Sequence, residues 1–170
     1  MVVGHITPCW DTQQIKDLQY KADYYQDTEL IKKYAQSGHS MAHMTLFNYF
    51  EPNPMPEAAS QIKKHFDHLA NTSIAINKFT PGQYLPVHHD FYGKFKSVHQ
   101  LDDAANVMRI IIMIEDSVPG QILQVEDTSW CKWVAGDWIA WHNSAKHAFY
   151  NFSMVDRYAW QLTGTVDNIC

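Results

Sequence analysis

The chain has 170 residues, of which 46% are hydrophobic, and its formal net charge at pH 7 is −5. A chain of this length buries roughly 70% of the surface that its unfolded form exposes, so its core needs no disulfide or structural metal. The acidic balance and the presence of only two arginines argue against a nucleic-acid partner. The longest aliphatic run, residues 110–114, is too short to cross a membrane, and the N-terminus lacks the charged start of a signal peptide. We therefore expect a single cytoplasmic domain over residues 1–170.

The first part of the chain, residues 1–71, has mostly helical patterns. Asp11 and the helical spacing of the apolar residues after it predict a helix over residues 11–25. Further helices are predicted over residues 27–38 and 57–69, where capping residues and a proline cluster mark the ends. Residues 44–50 between them have the composition of a strand.

From residue 72 onward, short alternating segments are separated by turn residues such as Pro81-Gly82 and Pro119-Gly120. Regularly spaced short strands are typical of a β-sandwich or barrel. The sequence therefore predicts a mainly β (α+β) fold with an N-terminal helical layer. The predicted strands cover residues 73–79, 87–92, 107–115, 122–125, 130–134, 138–142, 147–152 and 158–165.

Histidines are the first candidates for functional residues, because the chain has ten of them. The three cysteines are far apart, have no metal-binding spacing and are expected to be free thiols. His88 and Asp90 form an H-x-D pattern, and on a strand residues i and i+2 face the same side, so both could bind one ion. The same pattern at His65 and Asp67 falls in a predicted helix, where the two side chains diverge. We interpret that second pair, with the nearby His68, as a solvated helix face.

A third ligand is expected further along the chain. His147 precedes Arg157 by ten residues, and both fall in predicted strands. His99 has the same spacing to Arg109, but it lies in a polar stretch close to Asp90, with little room for a returning strand. Two histidines and one carboxylate form the facial triad of non-haem Fe(II) oxygenases, which leaves three coordination positions open. An arginine next to such a site can grip a dicarboxylate with its planar fork.

These residues resemble those of the Fe(II)/2-oxoglutarate-dependent oxygenases, on the prolyl 4-hydroxylase-like branch. Residues 79–90 match the aromatic-x-x-Gly-Gln lead-in to the H-x-D pair, and residues 109–120 look like the next core strand and turn. Residues 134–141 resemble the Gly-Asp strand that precedes the distal histidine, and His147 with Arg157 completes the order. Within the branch, the chain looks most like small oxygenases of phages and marine bacteria, which implies a host cytoplasm if it is phage-encoded. The likeness covers about residues 72–165.

The resemblance implies a double-stranded β-helix (jelly-roll or cupin-like) over residues 72–165. It implies iron held by three residues, with 2-oxoglutarate chelating the iron and its far carboxylate meeting Arg157. With O₂ as the other substrate, 2-oxoglutarate would become succinate and CO₂ while an unactivated C–H bond is hydroxylated. A carboxylate ligand at position 90 favours hydroxylation over halogenation, which needs that coordination position for a halide. The implied iron ligands are His88, Asp90 and His147.

The chain departs from the family pattern around the cosubstrate. Phe79 stands where many members place a tyrosine hydroxyl, and Ala159 stands where other branches have a serine or threonine. Tyr84 and Thr163 are the candidates for extra contacts that would assist Arg157.

Other positions are open to two interpretations. Arg109 either pairs a substrate carboxylate or extends to solvent. His142 is the rival of His147 as distal ligand, and His89 is expected to face away from His88. The stretch around Asp102, next to the predicted iron site, is expected to form a mobile loop that covers the site by analogy with a lid. Five tryptophans, Trp130, Trp133, Trp138, Trp141 and Trp160, are expected in the core.

Two other functions remain compatible with the residues: a cupin-like metal enzyme that does not use 2-oxoglutarate, and a non-catalytic β-helix binding module. The expected partner is a small molecule or a peptide, with peptidyl proline or another amino-acid side chain as the site of hydroxylation. One iron site serves many substrates, so the motif does not select among them.

Overall fold

The computed structural model describes residues 1–24 and 28–166. Within these ranges the chain is mainly β-structure with a few short helices. The strands are β1 (Val2–His5), β2 (Lys21–Tyr24), β3 (Thr45–Phe50), β4 (Ala70–Phe79), β5 (Tyr84–His88), β6 (Val107–Met113), β7 (Gln121–Val125), β8 (Thr128–Trp130), β9 (Asp137–His142), β10 (His147–Asn151) and β11 (Arg157–Thr165). The helices are α1 (Thr12–Lys16), α2 (Thr28–Gln36), α3 (Ala58–His65) and α4 (Gly93–His99).

The strands form two antiparallel sheets. The larger has seven strands in the order β1-β9-β6-β11-β4-β3-β2, and the smaller has four in the order β5-β10-β7-β8. Strands that are distant in the chain lie side by side, because the chain alternates between the sheets as it winds. The fold is a double-stranded β-helix, and the predicted fold class is confirmed.

Strand β6 shows how the sequence sets the two layers of the core. Its aliphatic residues are buried on both faces, as expected for a strand covered on both sides. Ile110 and Ile112 pack with Ile62 of α3 in the core beneath the helices. Ile111 and Met113 alternate to the other face and pack between the two sheets. Arg109 has the same parity as Ile111, so β6 carries its side chain into the space between the sheets.

The N-terminal part contains more β-structure than predicted. The predicted helix over residues 11–25 ends at Lys16, and residues 21–24 form β2 on the edge of the larger sheet, paired with β3. The helical spacing of apolar residues thus gave a wrong prediction for residues 21–24, because their pairing with a distant strand cannot be detected from the periodicity of a single sequence. Val2–His5 likewise pairs with β9. Residues 25–27, where one predicted helix ends and the next begins, lie outside the described residues.

The segment around the H-x-D pattern also differs from its prediction. Strand β5 begins and ends earlier than the predicted strand over residues 87–92, so Asp90 lies beyond its end. Tyr92, with a φ of 55°, turns the chain into α4. The polar stretch around His99 is therefore partly helical. Residues 131–134, predicted as strand, follow the end of β8 at Trp130.

No helix in residues 1–24 and 28–166 is long and apolar enough to cross a membrane. Cys9 and Cys131 are free and exposed, in agreement with the expected thiols. Cys170 lies outside the described residues.

Candidate metal centre

Two neighbouring strands of the smaller sheet, β5 and β10, bring the candidate histidines together. His88 is the last residue of β5, His147 is the first residue of β10, and the two are direct partners in the antiparallel pairing. Their ring centroids are 4.3 Å apart. Both side chains are buried, with residue exposures of 8% and 3%. A spacing of 59 positions in the sequence thus becomes a contact because the two strands are neighbours.

Asp90 completes a cluster of three possible ligands. Its Oδ1 lies 3.7 Å from His88 Nε2, and its Oδ2 lies 3.8 Å from His147 Nε2. One ligand atom from each of the three residues lies within 4.8 Å of the others. Bonds of about 2.1 Å from one ion to two ligands can join atoms up to about 4.2 Å apart. Both distances from Asp90 to the imidazole nitrogens are below this limit, so the donor set could hold a single transition-metal ion.

Backbone carbonyls orient both imidazoles. The Nδ1 of His88 lies 2.7 Å from the carbonyl oxygen of Pro86, and the Nδ1 of His147 lies 3.1 Å from that of Ala145. A proton on Nδ1 that is donated to a carbonyl fixes the tautomer in which Nε2 carries the lone pair. Both Nε2 atoms face Asp90, so the rings present their lone pairs to the cluster.

The electrostatics keep the three groups in the forms that bind metal. Burial, and then the neighbouring His88 ring, lowers the pKa of His147 to about 4. Burial also lowers the pKa of His88. For Asp90, burial alone would raise the pKa, but the Arg109 guanidinium and the imidazoles hold it at about 2. At neutral pH the cluster therefore offers two neutral imidazoles and one carboxylate, the forms required of ligands.

Arg109 is directed at the cluster itself. Its Nη2 donates to Asp90 Oδ2 at 2.7 Å, and its Nη1 donates to Thr163 Oγ1 at 2.9 Å. The guanidinium carbon lies 4.9 Å from the centroid of the Tyr92 ring. Only 11% of the arginine side chain is exposed. The guanidinium therefore does not extend to solvent, and because Arg109 lines the cavity at the cluster, its pairing with a substrate carboxylate stays a prediction.

Arg157 has a very different environment. It is 4% exposed, and its guanidinium carbon lies 4.9 Å from the Trp133 ring centroid and 5.0 Å from that of Phe149. Its hydrogen bonds are long ones, to the carbonyl oxygen of Ile122 at 3.4 Å and to Met113 Sδ at 3.5 Å. Its Nε has no partner, and no carboxylate of residues 1–24 and 28–166 forms an ion pair with it. Burial lowers the pKa of Arg157 to about 9.

The predicted helpers of Arg157 are engaged elsewhere. The Tyr84 hydroxyl is hydrogen-bonded to Nδ1 of His39, and the Thr163 hydroxyl accepts from Arg109. Phe79 lies beside Arg157, and its ring centroid is 6.0 Å from the guanidinium carbon. Aromatic rings and the Met113 sulfur contact the Arg157 guanidinium, and assistance from Tyr84 and Thr163 stays a prediction.

A cavity of about 510 Å³ opens onto the three candidate ligands. Among the lining residues, Asn77 donates a hydrogen bond to Asn48 and Asn48 donates one to Asp23, and each bond is 2.6 Å long. Phe79 and Phe149 also line the cavity, and their rings stack on each other with centroids 5.6 Å apart. Arg157 does not line this cavity but borders a second one, of about 540 Å³. This aromatic pair lines the metal-side cavity and also contacts Arg157. The two rings therefore lie between that cavity and the guanidinium.

The remaining histidines lie outside the cluster. His142, the rival distal ligand, is exposed and bonded to Asn106 at 2.9 Å. His89 is exposed at the cavity rim, with its ring 4.9 Å from that of Phe91. His99 is bonded to Ser73. His65, Asp67 and His68 are exposed, as predicted, but α3 ends at His65, so Asp67 and His68 lie beyond the helix and not on its face.

Several residues of the site were not identified from the sequence. Asp23 and Asn48 belong to the N-terminal part, whose strands were not fully predicted, so no pattern connected them with the metal ligands. The tryptophans were assigned to the core, and Trp133, Trp141 and Trp160 are indeed buried. Trp141 also packs on His147, with ring centroids 4.8 Å apart, so a core position also supports a candidate ligand.

Comparisons with known proteins agree with the fold. No family model matches the chain, and no curated protein sequence matches it. A prolyl-4-hydroxylase from Pseudomonas putida is structurally similar, with a TM-score of 0.57 and 11% identity over 91% of this chain and 96% of that one. A sugar phosphate isomerase candidate from Acidithiobacillus ferrooxidans has a TM-score of 0.51 and 11% identity, over 93% of this chain and 75% of that one. At such identities, the two likenesses show a shared double-stranded β-helix fold.

Proposed function

We propose that the protein is a non-haem Fe(II)- and 2-oxoglutarate-dependent dioxygenase that hydroxylates an unactivated C–H bond. The observation that carries this proposal is the buried Arg157, which forms no ion pair with a carboxylate of residues 1–24 and 28–166, in the same fold as the His-Asp-His cluster. A buried cation is costly unless something pairs with it. A dianionic cosubstrate that also chelates the metal would supply the missing carboxylate.

His88, Asp90 and His147 would hold the iron as a facial triad, which leaves three positions for the cosubstrate and O₂. When bound, Fe(II) supplies the oxidative chemistry in which 2-oxoglutarate, O₂ and R–H become succinate, CO₂ and R–OH. The chain's own residues orient the imidazoles through the carbonyls of Pro86 and Ala145 and neutralise the ligand carboxylate through Arg109.

Arg157 would bind the far carboxylate of 2-oxoglutarate. Its planar fork suits two parallel hydrogen bonds to a carboxylate, and the Trp133 ring beside it would strengthen such bonds by excluding water. The path from the metal to Arg157 runs along the stacked rings of Phe79 and Phe149, so these rings have to part when the cosubstrate spans both groups.

That aromatic stack is also the observation that favours the second candidate, a metal-dependent enzyme of the same fold that does not use 2-oxoglutarate. If the rings stay closed, the metal-side cavity holds a substrate alone and Arg157 serves only the second cavity. Metal binding is common to both candidates, whereas dependence on Arg157 belongs to the first.

The proposed substrate is a small molecule or a peptide, with an amino-acid side chain such as proline as the hydroxylated group. The residues that line the cavity include the amides of Asn48 and Asn77 and the carboxylate of Asp23. These groups suit a substrate with hydrogen-bond donors, such as a peptide or an amino acid, and an acidic group at the cavity disfavours phosphates.

The deciding experiment adds Fe(II) and 2-oxoglutarate to the protein without oxygen and records the weak visible charge-transfer band of the chelate. We expect the band in the parent protein, no band in His147→Ala, and a band only at much higher 2-oxoglutarate in Arg157→Met. His142→Ala is the matched control and should resemble the parent. A parent protein that binds iron but shows no band would refute the cosubstrate and favour the second candidate. A screen of amino acids and peptides for succinate release, with uncoupled turnover subtracted, then identifies the substrate class.

A further inference from the structure

Arg109 has its side chain committed on three sides. β6 places it directly opposite Thr163 of β11 and Trp141 of β9 in the two strand pairings. The threonine hydroxyl accepts from one guanidinium nitrogen, the aspartate carboxylate accepts from the other, and the Tyr92 ring lies against the fork. Both Nη atoms of Arg109 thus donate within the protein, so the first question is what these contacts hold in place.

What it holds is the one candidate ligand that no strand fixes. His88 and His147 are positioned by the pairing of β5 with β10, but Asp90 lies two residues past the end of β5, just before the φ reversal at Tyr92. The ion pair with Arg109, at 2.7 Å, anchors the carboxylate to the larger sheet across the barrel. Asp90 is thus located by a side-chain contact rather than by the β-ladder.

We propose that Arg109 is a positioning residue that restricts Asp90 to binding the metal through one oxygen. Arg109 occupies Oδ2, which leaves Oδ1, 3.7 Å from His88 Nε2, as the oxygen for the metal. A carboxylate that binds through one oxygen keeps three of six octahedral positions open, whereas one that binds through both keeps two. The inference rests on the metal site of the proposed function but not on the use of 2-oxoglutarate.

The contacts also predict the direction of the effect, because two consequences of losing Arg109 oppose each other. Removing a cation beside the site would strengthen metal binding by charge alone. Removing the anchor of a ligand weakens it, and loss of such supporting contacts typically costs roughly 10–100-fold in metal affinity. Positioning as the main role therefore requires weaker binding in Arg109→Met, and a purely electrostatic role requires tighter binding.

The test is a titration of the full chain with Co(II) and with Mn(II), without 2-oxoglutarate, followed by quenching of tryptophan fluorescence and by the Co(II) visible spectrum. We expect Arg109→Met to lose roughly 10–100-fold in affinity and to change the Co(II) spectrum, because the carboxylate becomes free to bind through both oxygens. Arg109→Lys, which keeps the charge and one donor, should recover part of the affinity. Lys78→Met is the matched control, since it removes the half-buried cation of a 2.9 Å ion pair with Asp156 away from the cluster, and it should bind metal like the parent.

Unchanged or tighter binding by Arg109→Met, with an unchanged Co(II) spectrum, would overturn the proposal. Circular dichroism and thermal unfolding identify variants that fail to fold. If Arg109→Met is one of them, Arg109→Lys decides the question alone, because it keeps the charge but not the two-point anchor. Weaker binding than in the parent with a changed Co(II) spectrum then supports the anchoring role, and parental or tighter binding with an unchanged spectrum overturns it. A parent protein that binds metal but not 2-oxoglutarate refutes the proposed function and leaves this inference intact.

Discussion

Replacing Arg157 with methionine should stabilise the protein against unfolding and, at the same time, weaken its binding of 2-oxoglutarate. The two effects have one cause, because the folded protein holds a charged guanidinium at 4% exposure with no carboxylate of the described residues to pair with it. Methionine is unbranched and apolar and can fill the space between the Trp133 and Phe149 rings with little strain.

The size of the stability effect follows from the pKa. Burial lowers the pKa of Arg157 from an ordinary value near 12.5 to about 9, and each tenfold change in proton affinity corresponds to about 1.4 kcal/mol. This gives an upper limit of about 5 kcal/mol for the cost of the buried charge. Ring contacts already offset part of it, so the expected gain is about 1–4 kcal/mol, the range found when buried charges are replaced by apolar residues. The gain is full below about pH 9, where the folded parent carries the charge, and shrinks as the pH rises further.

Thermal unfolding with and without 2-oxoglutarate measures both effects. For a chain of this length, each kcal/mol raises Tm by about 2–4 °C, so Arg157→Met should unfold at a higher temperature than the parent. Loss of a buried partner for a carboxylate costs about 2–5 kcal/mol, so the affinity for 2-oxoglutarate with metal present should fall at least about 30-fold. A variant that is less stable than the parent, or that binds 2-oxoglutarate as tightly, would refute the reasoning.

Three further predictions concern the site and the fold. Affinity for Mn(II) should be nearly constant between pH 6 and 8, because burial keeps the His147 pKa at about 4 and the His88 pKa low; a steep loss below pH 6.5 in a metal titration would contradict this. Phe149→Val should tighten 2-oxoglutarate binding in equilibrium titrations, because it removes one ring of the stack between the metal and the arginine; weaker binding would show that the ring supports the site. Gly136→Ala should lower the free energy of unfolding by about 1–3 kcal/mol, since Gly136 has a φ of 91° and an added Cβ would clash with the carbonyl oxygen of Ile6.

The strands of the β-helix core could be predicted because they have regular lengths and a clear pattern of apolar residues. The run at residues 110–114 is an example, since a fully apolar strand requires cover on both sides, and the helices and the smaller sheet provide it. The front of the chain could not be predicted in the same way. Strands β1 and β2 are short and largely exposed, so their apolar pattern is weak and only their pairing partners, which lie far away in sequence, make them strands.

The cluster of His88, Asp90 and His147 was predicted from spacing, although one step of the reasoning was wrong. The prediction assumed that His88 and Asp90 share one strand face, but the strand ends at His88. Local spacing therefore predicted the right contact for an incomplete reason. What brings the carboxylate to the imidazoles is the ion pair with Arg109, which lies 19 positions later, on a strand of the other sheet. Parity along β6 places that arginine inside the barrel, but it does not reveal which carboxylate it meets.

The two arginines of the chain differ in the one property that separates support of a site from binding of a ligand. Both lie inside the barrel with very little exposed surface, and the sequence gives each the same spacing from a histidine. Arg109 has its counter-charge within the protein, since Asp90 lies 2.7 Å away, and so it needs no ligand to be stable there. Arg157 has rings, a carbonyl and a sulfur around it and no carboxylate of the described residues. A buried charge without a counter-ion lowers the stability of the folded protein. An anion that binds Arg157 would remove this cost, so we expect binding of the cosubstrate to depend on Arg157.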